Sequence, residues 1–143
     1  MYSKILIATD FDEVGHKATQ HAKKLADLCK AELHLVHVIE PMPAYAYPGF
    51  SGFQDVEDSL QEQAEEALKA VANELGVPPA RQHVAHGSTK NEIIRMATQV
   101  GADLIVCGSH AKHGLELLLG STANSILHSA MCDVLVVRGD NVE

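Results

Sequence analysis

The chain has 143 residues, of which 46% are hydrophobic and 21% charged, with a formal net charge of −8. That length suits a single domain, residues 1–143, with a core of its own, and the composition is close to the soluble globular average. No apolar run approaches a membrane span, and the acidic balance excludes a nucleic-acid groove or an anionic membrane surface, both of which need clustered Lys and Arg. The opening Met-Tyr-Ser-Lys leads straight into a strand-like run and lacks the layout of a signal peptide, so a cytoplasmic location is expected. Cys29, Cys107 and Cys132 are unclustered and set in apolar segments, which suits reduced thiols better than a disulfide frame or a metal knuckle.

In chain order, Lys4-Ile-Leu-Ile-Ala-Thr-Asp10 is a short apolar run ending in polar residues, as expected of a central parallel strand covered on both faces. Val14, Ala18, Ala22, Leu25, Ala26 and Cys29 then recur by threes and fours and predict an amphipathic helix. Asp12 and Glu13 lie at its start and Lys23, Lys24 and Lys30 lie later, in keeping with the helix dipole. Glu32 to Glu40 returns to strand character, completing a right-handed βαβ unit. Pro41 to Phe53 holds three prolines, two glycines and four aromatics and reads as a long loop, either a lid or a surface loop pinned by its aromatics. Val56, Leu60, Ala64, Ala67, Leu68, Val71 and Leu75 mark a long helix ending at Gly76, with an acidic, solvated outer face. Gln82 to His86 is a less apolar strand suited to a sheet edge, and Thr89 with Glu92 forms a candidate capping box for the next helix, which ends at Gly101. Strands at Asp103–Cys107 and Asp133–Arg138, with a short helix over about Thr122–Leu127 between them, complete the pattern. Five strands alternating with four helices predict an α/β, doubly wound five-stranded parallel sheet of order 3-2-1-4-5, Rossmann-like in class.

In such sheets a ligand sits outside the carboxyl ends of the strands where the order reverses, here between the first and fourth strands. Thr9, Asp10 and Asp12 end the first strand, and the loop from Gly108 follows the fourth. The stretch from Ala102 to Ser129 reads as buried strand, Gly-rich loop, and a Gly120-Ser121-Thr122 step into a helix. Glycine lets backbone approach an anion closely, and the first amides of a helix lack intrahelical partners, so this is an anion site. Two better-known nucleotide sites are excluded by missing parts: no Gly-x-Gly-x-x-Gly follows the first strand, and no Gly-Lys-Ser/Thr exists anywhere. A phospho-acceptor receiver domain is excluded as well, because the third strand ends in His86-Gly87 without an aspartate.

Across essentially its whole length the chain resembles the universal stress protein family. The motifs that carry the likeness are Lys4-Ile-Leu-Ile-Ala-Thr-Asp10, His37-Val-Ile, Gly87, Ala102-Asp-Leu-Ile-Val-Cys-Gly-Ser-His110, Leu117-Leu-Leu-Gly-Ser-Thr122 and Cys132-Asp-Val-Leu-Val-Val-Arg138. The resemblance implies a homodimeric fold related to the adenine-nucleotide alpha hydrolases, stress-linked expression, and in one branch ATP binding, with or without Mg2+ and with at most slow hydrolysis. Another branch binds no ATP. In the binding branch the signature is Gly, two residues, Gly, nine residues, Gly, then Ser or Thr. Here Gly108 and Gly120-Ser121 match, whereas Ala111 replaces the second glycine and stands only eight residues before Gly120. If that position requires positive φ or close passage of a phosphate, its methyl group costs about 1 kcal/mol or obstructs the ligand; Gly114 is the nearest alternative.

Carried over residue by residue, the resemblance places Asp10 on the nucleoside with Thr9 beside it, the Val38 backbone on adenine, and Gly108, Gly120, Ser121 and Thr122 around ribose and phosphates. Without a ligand the same residues would form a tight turn and an N-cap. The resemblance also implies that the apolar last strand pairs with its copy across a two-fold axis, with Arg138 and Asp140 at the rim, which would cover an otherwise bare edge. Among the nine histidines, His110 and His113 flank the loop, but no third metal ligand is placed by the sequence. Ser109 and Ser121 lack an identifiable base for nucleophilic chemistry. The expectation is a homodimeric ATP-binding sensor rather than an efficient enzyme; the alternative is a stress protein of the same fold that binds no nucleotide and engages an unknown protein partner.

Overall fold

A computed structural model describes residues 1–11, 13–41, 53–109 and 120–139 of the chain. The elements run β1 (Lys4–Ala8), α1 (Glu13–Cys29), β2 (Glu32–Ile39), α2 (Phe53–Leu75), β3 (Gln82–His86), α3 (Thr89–Val100), β4 (Leu104–Ser109), α4 (Ser121–Ser129) and β5 (Asp133–Arg138), with a 3-10 turn at Pro79–Arg81 before β3. All pairings are parallel and the strand order is β3-β2-β1-β4-β5, as the sequence predicts. β1 is central, with Ile7 beside both Leu35 of β2 and Val106 of β4.

Because successive strand side chains alternate faces, the continuous apolar runs supply two cores, one on each side of the sheet. Ile5, Ile7, Leu33, Leu35, Leu104 and Val106 meet α1 and α2, and Leu6, Val36, Ile105 and Cys107 meet α3 and α4. Fully burying an aliphatic side chain of this kind stabilises the fold by roughly 1.5–3 kcal/mol. α1 sits close to the sheet because its buried stripe is small, with Ala18, Ala22 and Ala26 at four-residue spacing.

Local end chemistry differs from the sequence expectation in three places. No basic residue falls in the last turn of α1; Lys23 instead pairs with Asp27 at 2.8 Å, and Lys30 takes the left-handed position past the helix end at φ +56°. The Thr89–Glu92 capping box does not form. Ser88 is the N-cap, Thr89 Oγ1 donates to Glu40 Oε1 at 2.8 Å, and Glu92 meets Arg95 at 2.6 Å. A long partner from another element has outcompeted the local cap. The last helix is also longer than expected, spanning Ser121–Ser129.

The amino ends of the strands are tied together by Asp103. Its carboxylate accepts the amides of Ser3 at 2.9 Å and Lys4 at 3.1 Å, which holds its carboxyl below the usual range. This leaves the carboxyl ends as the open edge.

Candidate functional site at the carboxyl ends of the strands

The turn leaving β1 is built by its own side chains. The Thr9 amide donates to the Val36 carbonyl at 3.0 Å, and the buried Thr9 hydroxyl oxygen accepts the Phe11 amide at 3.2 Å. Phe11 adopts φ +69°, a left-handed conformation that costs a residue with a Cβ about 1–2 kcal/mol. Its ring lies 4.4 Å from the His37 ring, centroid to centroid, with a 37° tilt. His37 Nδ1 in turn stands 2.7 Å from the Thr9 carbonyl oxygen. A carbonyl can only accept, so Nδ1 carries the proton. Thr9, proposed from sequence as a ligand neighbour, thus has its hydroxyl and main chain engaged in shaping the turn.

Asp10 is exposed in the middle of that turn. Its carboxylate is felt on the neighbouring strand: the Cys107 thiol is pushed up to about 11, first by burial and second by the Asp10 charge. Asp10 at β1's exit therefore lies near the end of β4, at the reversal of strand order.

Val38 lies one step along β2. The Val36 carbonyl accepts from Thr9 on the β1 side, and the Ile39 carbonyl accepts from Gly87 on the β3 side at 3.1 Å. Alternation along a parallel strand then turns the Val38 N–H and C=O toward β1, beyond the last paired residue, Ala8. Its side chain packs against the α3/α4 core. This donor–acceptor pair on the crevice side matches the hydrogen-bonding edge of a purine in kind.

Gly108 has a packing reason to be glycine. A Cβ there would stand 2.6 Å from Val14 Cγ1 and 3.4 Å from the Val14 carbonyl, so the first turn of α1 rests directly on β4. At the other wall Gly120 is the N-cap of α4, and as a glycine it offers no side chain to cap that turn. Ser121 is exposed, Thr122 half-buried, and the amides of the first turn have no intrahelical acceptor. α4 connects the carboxyl end of β4 to the amino end of the parallel β5, so its N-terminus starts from the carboxyl edge of the sheet. The sequence expectations for Asp12, for Ala111 and the neighbouring loop positions His110, His113 and Gly114, for residues 42–52 of the loop from Pro41 to Phe53 and for Asp140 lie outside the described residues.

The arrangement thus offers a carboxylate able to accept from hydroxyls, a main-chain donor and acceptor side by side, and a helix N-terminus suited to an anion. Among the described residues no group of three or more His, Cys, Asp or Glu could hold a metal ion. The sequence alone gives Phe11 and His37 no individual role, and marks Val14 only as part of the buried stripe of α1. His37 stood in a recognised motif, but nothing in sequence signals Phe11's left-handed backbone, which is usually marked by Gly or Asn.

The sequence model of the universal stress protein family matches residues 1–138. Universal stress protein A homolog 2 of Coxiella burnetii is 41% identical over 139 residues, covering 96% of this chain and 95% of the relative. The solved structure of hypothetical protein MJ0577, described as a structure-based assignment of biochemical function, superposes with a TM-score of 0.83 at 30% identity over 99% of each chain. A universal stress protein crystallised in complex with cAMP has the same fold, with a TM-score of 0.65 at 23% identity over 96% of this chain and 97% of that one. Shared motifs, strand order and a match along nearly the whole sequence agree: the chain belongs to the universal stress protein family.

Proposed function

We propose that this protein binds ATP, or a closely related adenine nucleotide, in the crevice between β1 and β4, and acts in the cytoplasm as a ligand-sensing regulator of stress responses rather than as an efficient enzyme. The observation that carries the reading is that Asp10, the outward-turned Val38 main chain and the glycine-led first turn of α4 all lie at the carboxyl ends of the strands. In this reading Val38 reads the adenine edge, Asp10 accepts from the ribose hydroxyls with Thr9 shaping the turn beneath it, and Gly108, Gly120, Ser121 and Thr122 surround ribose and phosphates. Mg2+ would arrive with the nucleotide and be held chiefly by its phosphates and water. The cAMP complex of another member supports the choice of an adenine nucleotide as the ligand class. Residues 1–143 act as a single domain, and two copies pair through β5, whose open edge carries half-buried Val134 and Val136 and a Leu135 that is 36% exposed. No helix among the described residues is long and apolar enough to cross a membrane.

Gly120→Trp tests the phosphate wall. The variant should lose ATP binding in calorimetric titration while its mass by light scattering stays that of the wild type; unchanged affinity refutes this loop as the site. A second reading has its own supporting observation. Val14 alone accounts for glycine at position 108, as expected of a member that keeps the fold, binds no nucleotide, and works by engaging a protein partner.

A further inference from the structure

In a parallel ladder each paired residue of one strand donates to and accepts from residues flanking its partner. On the β1 side of β2, the Thr9 amide bonds the Val36 carbonyl, so the next rung would run from the Val38 amide to the Thr9 carbonyl. Among the described residues that rung does not form, and the Thr9 carbonyl is engaged by His37 Nδ1 at 2.7 Å. The same imidazole packs at a tilt against the ring of Phe11, whose backbone is left-handed, and the Phe11 amide is fixed on Thr9 Oγ1. One side chain therefore satisfies the carbonyl at which pairing stops and braces the turn that carries Asp10.

We infer that His37 is the positioning residue of the adenine subsite: by occupying the Thr9 carbonyl and bracing Phe11, it ends the β1–β2 ladder one rung early, which leaves the Val38 main chain to the base and sets Asp10 over the ribose. The inference rests on the nucleotide reading above and adds a residue that touches no ligand. A chain lacking this imidazole has two ways to satisfy the buried Thr9 carbonyl: it can zip the next rung, consuming the Val38 amide, or draw in water. Both degrade the base subsite while the phosphate wall, built by β4 and α4, is untouched.

The test is calorimetric titration of three proteins with ATP and, separately, with inorganic triphosphate. His37→Phe keeps a ring against Phe11 and loses the donor; His37→Asn puts an amide N–H close to where Nδ1 stands. His37→Phe should weaken ATP binding by about tenfold or more, the worth of one buried hydrogen bond and the disturbed subsite, and leave triphosphate binding unchanged. His37→Asn should recover ATP affinity to within about threefold of wild type. Equal ATP affinity in His37→Phe, or equal loss for ATP and triphosphate, overturns the inference while the nucleotide reading stands. Wild type that binds no adenine nucleotide refutes that reading and this inference with it. Should His37→Phe fail to fold, nitrogen-15 spectra of wild-type His37 decide: a proton on Nδ1 with or without ATP is expected, and a proton only on Nε2 overturns the role.

Discussion

Replacing Gly108 with alanine separates packing from ligand binding at a position where the family signature and the fold both ask for glycine. The added Cβ would lie 2.6 Å from Val14 Cγ1 and 3.4 Å from the Val14 backbone carbonyl carbon and oxygen. Ordinary carbon contacts sit at about 3.5–4.0 Å, so roughly 1 Å of displacement is required. Val14 is β-branched, lies on a helix and has one preferred rotamer there, so the side chain cannot swing clear. The shift must come from α1 or β4, and overpacking of this kind costs about 1–3 kcal/mol. For a chain of this size that is about 2–4 °C in melting temperature per kcal/mol. Position 108 is not in the left-handed region, so backbone strain adds nothing. Urea unfolding gives the cost directly. Val14→Ala removes the clashing methyl, so in the double variant the Gly108→Ala penalty should largely disappear, giving a coupling of at least 1 kcal/mol. Gly108→Ala as stable as wild type, or an undiminished penalty beside Ala at position 14, would refute the claim that Val14 dictates this glycine.

Three further outcomes follow from charge and burial. The Cys107 thiol, raised from 9.0 to about 11, should hold ~100-fold less thiolate at pH 8 than an ordinary cysteine and be alkylated by iodoacetamide correspondingly slowly; Asp10→Asn should lower its titration point, and no change would place Asp10 elsewhere. His83 is pushed below its usual range by burial and by the stacked His34 ring, 5.8 Å away. The folded state then binds fewer protons than the unfolded one as pH drops below about 6.5, so this contribution to stability is present above that range and is lost on acidification. His83→Phe should flatten the urea midpoint between pH 7 and 5; an unaltered slope removes His83 as the cause. Asp103 is held down by the Ser3 and Lys4 amides, so its stabilisation is present above the unfolded carboxylate range and is lost as pH falls through the lowered folded value. Asp103→Asn should reduce stability at pH 7 and have a smaller effect at pH 2.

The sheet was legible because its strands are short, bounded and apolar on both faces, and because strand–helix alternation admits few topologies. Ile5 to Ile7 and Leu104 to Cys107 could not serve as edge strands without exposing one side. Helix ends were less legible. The capping box at Thr89 and Glu92 satisfies a local rule, yet Glu40 and Arg95 offered those side chains other partners. Topology alone puts Asp10 and Val38 toward the carboxyl ends of strands and Gly120 at the start of a helix. Thr9 and His37 were legible only as motif members. What they do depends on a ladder that stops, and on a phenylalanine in a backbone region that its residue type does not announce.

The most direct measurement is of bound nucleotide itself. Freshly purified protein would be denatured and its supernatant read by mass spectrometry, and stripped protein would then be titrated calorimetrically with ATP and magnesium. Adenine nucleotide in the supernatant and a near-stoichiometric titration are expected. A protein that carries none and takes up none would contradict the nucleotide reading, and would leave the dimer edge and a protein partner as the basis of function.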